Sequence, residues 1–217
     1  MLNQRVRVKV CCIKNEEEAQ LAIAAGVDAI GLVSAMPSGP GSISEFKIAE
    51  IVARVSPPIS TFLLTSETSA PNIIRQQSDC RNNVLQLVDH VEASDQRQLK
   101  KALPGIGIVQ VVHVIDEASV DQAVAYAAHV DALLLDSGNP NLRVKELGGT
   151  GRTHNWALSR EIVQKVNIPV FLAGGLNPSN VVSAIKEVKP FGVDICSGLR
   201  TAGRLDRAKL TEFMARV

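Results

Sequence analysis

Gly26-Val27-Asp28-Ala29-Ile30 reads as the end of a helix followed at once by an apolar β-branched run, and the signature returns at Val130-Asp131-Ala132-Leu133 and Gly192-Val193-Asp194-Ile195. Each copy marks a helix-to-strand step, so the chain is built from a repeated βα unit. Working outward, short β-branched runs predict strands near 6–13, 28–33, 59–64, 84–87, 108–114, 131–136, 169–172 and 192–195. Segments of helical periodicity separate them at about 16–25, 45–55, 71–79, 94–102, 117–128, 156–166, 178–188 and 206–216. Asn15 before Glu16-Glu17-Glu18, Ser44 before Glu45 and Asn177 before Pro178 supply helix-start chemistry.

Strand-then-helix alternation specifies a parallel sheet with crossover helices. An open doubly wound sheet needs no particular strand number, whereas eight units can close. The chain has 217 residues, too few for two comfortable α/β domains and close to the roughly 200 at which an eight-unit barrel becomes typical. The expectation is an α/β fold, a single (β/α)8 TIM barrel with parallel strands, occupying 1–217 as one domain.

Composition narrows the function. Lys and Arg number 23 against 22 Asp and Glu, a net charge of +1, which gives no field for nucleic-acid or membrane-surface binding. Hydrophobic residues make up 46% and aromatics 3%, a palette suited to buried parallel strands. The four cysteines, Cys11, Cys12, Cys80 and Cys196, lack the spacing of a zinc site or a disulfide scaffold. No apolar run reaches the length of a signal core or membrane span, so a cytoplasmic protein with reduced thiols is expected.

Three glycine-bearing loops follow the last three strands: Gly148-Gly149-Thr150-Gly151-Arg152-Thr153, Ala173-Gly174-Gly175 and Ser197-Gly198. Glycine lets backbone N–H groups approach a ligand, and successive strand ends of a barrel can surround a phosphate. Gly149, Thr150, Gly151, Gly174, Gly175, Ser197 and Gly198 are therefore candidate phosphate ligands. Cys11, late in strand one, and Asp136, ending strand six, can enter the mouth from opposite sides, as an acid and a base acting on two faces of a substrate require. Cys11 reads equally well as a small packing residue; a carboxylate after Ala132-Leu133-Leu134-Leu135 must be solvated or paired. Cys12 is expected to face away and pack. Gln86, His113, Asp194 and Arg200 are further candidates for substrate contact. His113 fits a structural histidine as well, and Asp28, Asp131 and Asp194 fit strand-start turn residues. His90, His129 and His154 show no metal-ligand spacing, and no metal site is expected.

These blocks resemble the phosphoribosylanthranilate isomerase family. The matching stretches are Lys9-Val10-Cys11-Cys12-Ile13, Gln86-Leu87, Leu133-Leu134-Leu135-Asp136-Ser137 and Gly148 to Thr153 followed by Trp156. Leu172-Ala173-Gly174-Gly175-Leu176-Asn177-Pro178 and Val193-Asp194-Ile195-Cys196-Ser197-Gly198 complete the set. The resemblance implies a cofactor-free Amadori rearrangement of a phosphorylated sugar in tryptophan biosynthesis, with Cys11 as general base and Asp136 as general acid. It leaves a homodimer open.

Departures fall at the end of the pocket that would hold anthranilate. Gly41 stands where the family pattern has a carboxylate-binding arginine, Val88-Asp89 replace His-Gly, and Cys12 replaces a glycine. Arg200, in place of a family glutamate, is a candidate substitute for the missing arginine. Gly41 could equally serve a left-handed turn within Pro37-Ser38-Gly39-Pro40-Gly41. Three readings stay open: the family's own reaction, an isomerase or lyase on another phosphorylated sugar, and a non-catalytic phosphosugar-binding paralogue.

Overall fold

A computed structural model describes residues 5–217. Eight parallel strands close on themselves in sequence order: β1 (Arg7–Val10), β2 (Ala29–Val33), β3 (Ser60–Thr65), β4 (Val84–Leu87), β5 (Gly107–His113), β6 (Ala132–Asp136), β7 (Val170–Leu172) and β8 (Gly192–Ile195). The connecting helices are α1 (Glu16–Ala24), α2 (Glu45–Val52), α3 (Ala70–Cys80), α4 (Ala93–Ala102), α5 (Ala118–Ala127), α6 (Trp156–Lys165), α7 (Val181–Val188) and α8 (Arg207–Met214). The expected (β/α)8 barrel is the fold. None of the described helices is long and apolar enough to cross a membrane.

The period-2 alternation of each strand divides the core into two shells. Val8 and Val10, Ile30 and Leu32, Leu85 and Leu87, and Ile108 and Val112 point outward to the helices. Phe62, Leu64, Val109, Val111, Ala132, Leu134 and Phe171 fill the barrel interior. Asp136 ends β6 and Cys11 directly follows β1, both with the inward parity, so the packing rule that fills the barrel also delivers them to its C-terminal mouth.

Local chemistry sets the helix starts. Asn15 and Ser44 accept the N–H groups of Glu18 and Lys47, as capping residues do. The expected start at Asn177-Pro178 is displaced: Asn177 and Asn180 close a turn on each other, and α7 begins at Val181. Strand one is also shorter than expected, because Cys12 takes a left-handed φ of 62° that ends β1 at Val10. Between β8 and α8 lie a 3-10 turn, Ser197–Leu199, and a small hairpin of β9 (Arg200–Thr201) and β10 (Arg204–Leu205). Two-residue strands carry no readable alternation, so no residue pattern signals this hairpin.

Candidate active site

The mouth of the barrel opens into a cavity that, with the open solvent at its entrance, spans about 680 Å³. Its floor and walls include Cys11, Cys12, Gln86, Asp136 and Asp194, with Gly148 to Gly151, Gly174-Gly175 and Cys196-Ser197 on one side and Ser38 to Pro40 on another. Thus β1 and β6, three strands apart around the barrel, place a thiol and a carboxyl group on one solvent-connected space.

Asp136 is 8% exposed. Burial holds its carboxyl above the ordinary carboxylate range, against the opposing influence of the Ser137 N–H and of His113. That N–H donates to Oδ1 at 2.7 Å. A Cβ on Gly148 would come within 2.7 Å of Oδ2, so the loop after β6 folds over the carboxyl group. Ser137 and Thr150 share a hydroxyl hydrogen bond of 2.7 Å that pins this loop.

Beneath the thiol lies an ion pair. Lys9 is wholly buried, and its ammonium is 2.9 Å from Asp194 Oδ2, at an angle too poor for a hydrogen bond. Burial alone would favour neutral lysine; Asp194 and the neighbouring Cys11 and Cys12 sulfur atoms outweigh it, leaving the Lys9 pKa above the ordinary value. Space for this arrangement comes from Gly31, where a Cβ would meet both Cys11 Sγ and Lys9 Nζ at 2.9 Å. Asp194 is therefore an interior group within reach of the cavity and not a strand-start turn residue. Asp28 and Asp131 do hold strand starts, accepting the N–H groups of Val8 and Ile108.

The glycine loops present backbone donors. Among the described residues, the N–H groups of Gly174 and Gly175 have no protein acceptor, and those of Ser197 and Gly198 precede the first hydrogen bond of the 3-10 turn, Leu199 N–H to Cys196 O. Gly175 has φ +64°, and a Cβ there would lie 2.6 Å from the Arg152 carbonyl carbon. Only glycine permits both the left-handed turn and the close approach of the two loops.

Several expected contacts move. Gly198 does not line the cavity; a Cβ on it would strike the Leu176 carbonyl oxygen, so glycine is required there by packing. His113 bonds through Nε2 to the Val88 carbonyl at 3.0 Å and pairs in register with Asp136, neighbouring the acid but facing an adjacent hollow. Arg200 is not the replacement cation. Its guanidinium is engaged by Glu18 at 3.0 Å and by the Gly203 and Cys12 carbonyls, away from the cavity. Burial would raise the Glu18 pKa, but Arg200 and the Leu205 N–H hold it below the ordinary range. No arginine or lysine lines the cavity among the described residues.

Cys12, expected to face outward, lines the cavity because its left-handed backbone turns the side chain back. It also explains Gly41. With φ +88°, Gly41 would place a Cβ 2.6 Å from Cys12 Cβ. The two departures are thus one exchange: the Cys12 side chain occupies the space where a side chain at 41 would begin. A pattern comparison finds both positions, but nothing in their spacing links them.

The family model of N-(5'-phosphoribosyl)anthranilate isomerase matches residues 8–216. The chain belongs to this family. N-(5'-phosphoribosyl)anthranilate isomerase 2 of Methanosarcina mazei is 36% identical over 213 residues, covering 97% of this chain and 93% of the relative. The Haloferax volcanii isomerase is 37% identical over 211 residues, covering 96% and 91%. The Thermotoga maritima family structure superposes with a TM-score of 0.84 at 29% identity, covering 98% of each chain. A family structure in complex with reduced 1-(o-carboxyphenylamino)-1-deoxyribulose 5-phosphate gives 0.81 at 28% identity, again covering 98% of each. Members of this family are isomerases, and the barrel, the strand-end residues and the glycine loops described above lie within the matched span.

Proposed function

We propose that the chain catalyses the Amadori rearrangement of N-(5'-phosphoribosyl)anthranilate to the 1-deoxyribulose 5-phosphate aminoketose of tryptophan biosynthesis. The observation that carries this reading is the shared cavity, in which Cys11, Asp136 and two loops of free backbone N–H groups face one another. The phosphate is held by the amides of Gly174, Gly175 and Ser197, with Gly149, Thr150 and Gly151 beside it. A dianion suits a site built of N–H donors, which offer positive partial charge without a side chain.

Asp136, its pKa raised by burial, donates its proton to the furanose ring oxygen, and the ring opens to a Schiff base. Cys11, as thiolate, removes the C2 proton, and the resulting enolamine tautomerises to the ketose. Proton donor and acceptor then each return to their starting states, so the chemistry calls for no cofactor. The ion pair of Lys9 and Asp194 lies under the thiol and holds the floor on which it rests, while Gln86 and Asp194 border the sugar.

The cation-free cavity favours a second reading, an isomerase acting on a phosphorylated sugar without the anthranilate carboxylate. Turnover of phosphoribosylanthranilate by the purified protein, with growth of a tryptophan auxotroph lacking this step, is the expected result of the first reading. No turnover by a folded, phosphate-binding protein overturns it and leaves the second. Retained activity after exchange of Cys11 and Asp136 would overturn the assigned acid and base.

A further inference from the structure

The chain next to the Cys11 thiol is held in a conformation it would not choose. Cys12 has a left-handed φ of 62°, unfavourable for any residue with a Cβ. On both sides of the turn the backbone is pinned: the Cys11 N–H donates to the Ile195 carbonyl at 2.8 Å and the Ile13 N–H to the Gly31 carbonyl at 3.0 Å. The carbonyls of Cys11 and Cys12 lie between those bonds, and among the described residues neither receives a backbone N–H. Both are taken by the Arg200 guanidinium, whose Nη2 donates to the Cys12 oxygen and, at 3.4 Å, to the Cys11 oxygen.

The guanidinium is itself aimed by its surroundings. Glu18, in the first turn of α1, accepts from Nη1 at 3.0 Å and from Nη2 at 3.1 Å, and the Gly203 carbonyl of the β9–β10 hairpin accepts from Nη1 at 3.1 Å. The Glu18 carboxylate is fixed in turn by the N–H groups of Leu205 at 3.0 Å and Lys14 at 3.1 Å. The two charged side chains are only 8% and 10% exposed, so water does not compete for the pair. We propose that Arg200 is a positioning residue for the reaction: it holds the left-handed turn at Cys12 and so keeps the Cys11 thiol directed into the cavity.

The two carbonyls belong to the successive peptide planes on either side of the Cys12 Cα, and only φ and ψ of Cys12 relate those planes. A fork that grips both oxygens therefore restrains both angles. Without it, relaxation toward negative φ swings one plane. The Ile13 side is tied to Gly31, so the plane between Cys11 and Cys12 moves and carries the Cys11 side chain with it. Charge alone does not do this work: a lysine could pair with Glu18, but its ammonium lacks the planar fork that spans a carboxylate and two carbonyls together. A glycine at position 12 would take the left-handed turn unaided.

The test compares the parent, Arg200→Lys, Cys12→Gly and the double variant as whole proteins. It reads kcat and KM with phosphoribosylanthranilate, and the rate at which iodoacetamide alkylates Cys11, located by mass spectrometry. Arg200→Lys should lower kcat about tenfold or more, the scale of a misplaced reacting group, with KM within about twofold of the parent. Alkylation of Cys11 should slow, because its thiol is turned from the cavity. In the Cys12→Gly background the same exchange should change kcat by less than about threefold. Glu18→Gln, which removes the charge that aims the guanidinium, should behave like Arg200→Lys and show the same relief by Cys12→Gly, so a poorly folded lysine variant does not end the test. Equal losses in both backgrounds, or a parental kcat in Arg200→Lys, overturn the proposal. The kinetic arm rests on the proposed isomerase function and on Cys11 as its base, whereas the alkylation arm does not. A parent that leaves phosphoribosylanthranilate unchanged overturns the function, while slowed alkylation relieved by Cys12→Gly still upholds the positioning; unslowed alkylation overturns the positioning whatever the activity.

Discussion

Asp28 and Asp194 occupy the same position in the repeated Gly-Val-Asp signature, yet they end in opposite environments. Asp28 lies before β2, accepts the Val8 N–H and pairs with Arg5 and Arg7 at the surface. Asp194 lies within β8, 7% exposed, against a buried lysine. The cause is register. Lys9 stands opposite Ala29 on one side and opposite Asp194 on the other, so the third signature sits one residue further along its strand than the first. A one-residue shift in a strand reverses the face a side chain occupies. One local pattern therefore serves as a strand-start clasp in β2 and as the floor of the cavity in β8.

The largest effect expected from this contrast is at the interior copy. Asp194→Asn leaves the Lys9 ammonium buried without a counter-charge, and breaking a buried pair in this way costs about 3–5 kcal/mol, to be read from urea unfolding. A loss below 1 kcal/mol by that measure would mean that the pair does not bear on stability, and the contrast with Asp28 would collapse.

Next in size is Asp136→Asn, for which kcat should fall about a hundredfold while the fold survives, the usual scale for loss of an acid. Its stability should change in the other direction. Burial raises the Asp136 pKa, so the native state keeps a proton that the unfolded chain has released. The stabilisation from this group is whole below the unfolded value near 3.9 and is lost as pH rises through the folded value. Asparagine avoids that loss, so the variant should melt higher than the parent at neutral pH, with the difference closing below about pH 4. For the parent, activity should decline as pH rises through the same raised pKa, because the acid is then unloaded; a pH–rate profile checks this limb.

The exchange of Cys12 and Gly41 gives a smaller and conditional effect. Gly41→Arg alone should destabilise by roughly 1–3 kcal/mol through overpacking against Cys12 and the left-handed turn. Cys12→Gly in the same chain should recover much of that, and a double-mutant cycle measures the coupling. Additive losses would show that the two positions are independent. Smallest of all is Asp28→Asn: its amide oxygen can still accept the Val8 N–H, and the arginine pairs are exposed, so thermal denaturation should register less than about 1 kcal/mol.

What could be read from the residues alone follows from local rules. Alternation within strands put Cys11 and Asp136 on the inward face, and glycine clusters after β6, β7 and β8 marked the loops that border them. Cys12 could not be read this way, since its orientation depends on a positive φ outside the strand. Nor could Arg200, whose partner Glu18 is distant in sequence on α1. The notion that Arg200 supplies a carboxylate contact fails because a residue's charge does not reveal which carboxylate reaches it first.

The sequence by itself determined the eight βα units, the parallel barrel and the strand ends on which chemistry is displayed, because these depend on hydrophobic period, turn residues and parity, all of which are local. Tertiary structure alone decided that Lys9 meets Asp194, that Cys12 fills the space opened by Gly41, and that Glu18 takes the Arg200 guanidinium. Each of those contacts joins segments far apart in the chain or depends on a single-residue register, and only closure of the barrel sets such distances.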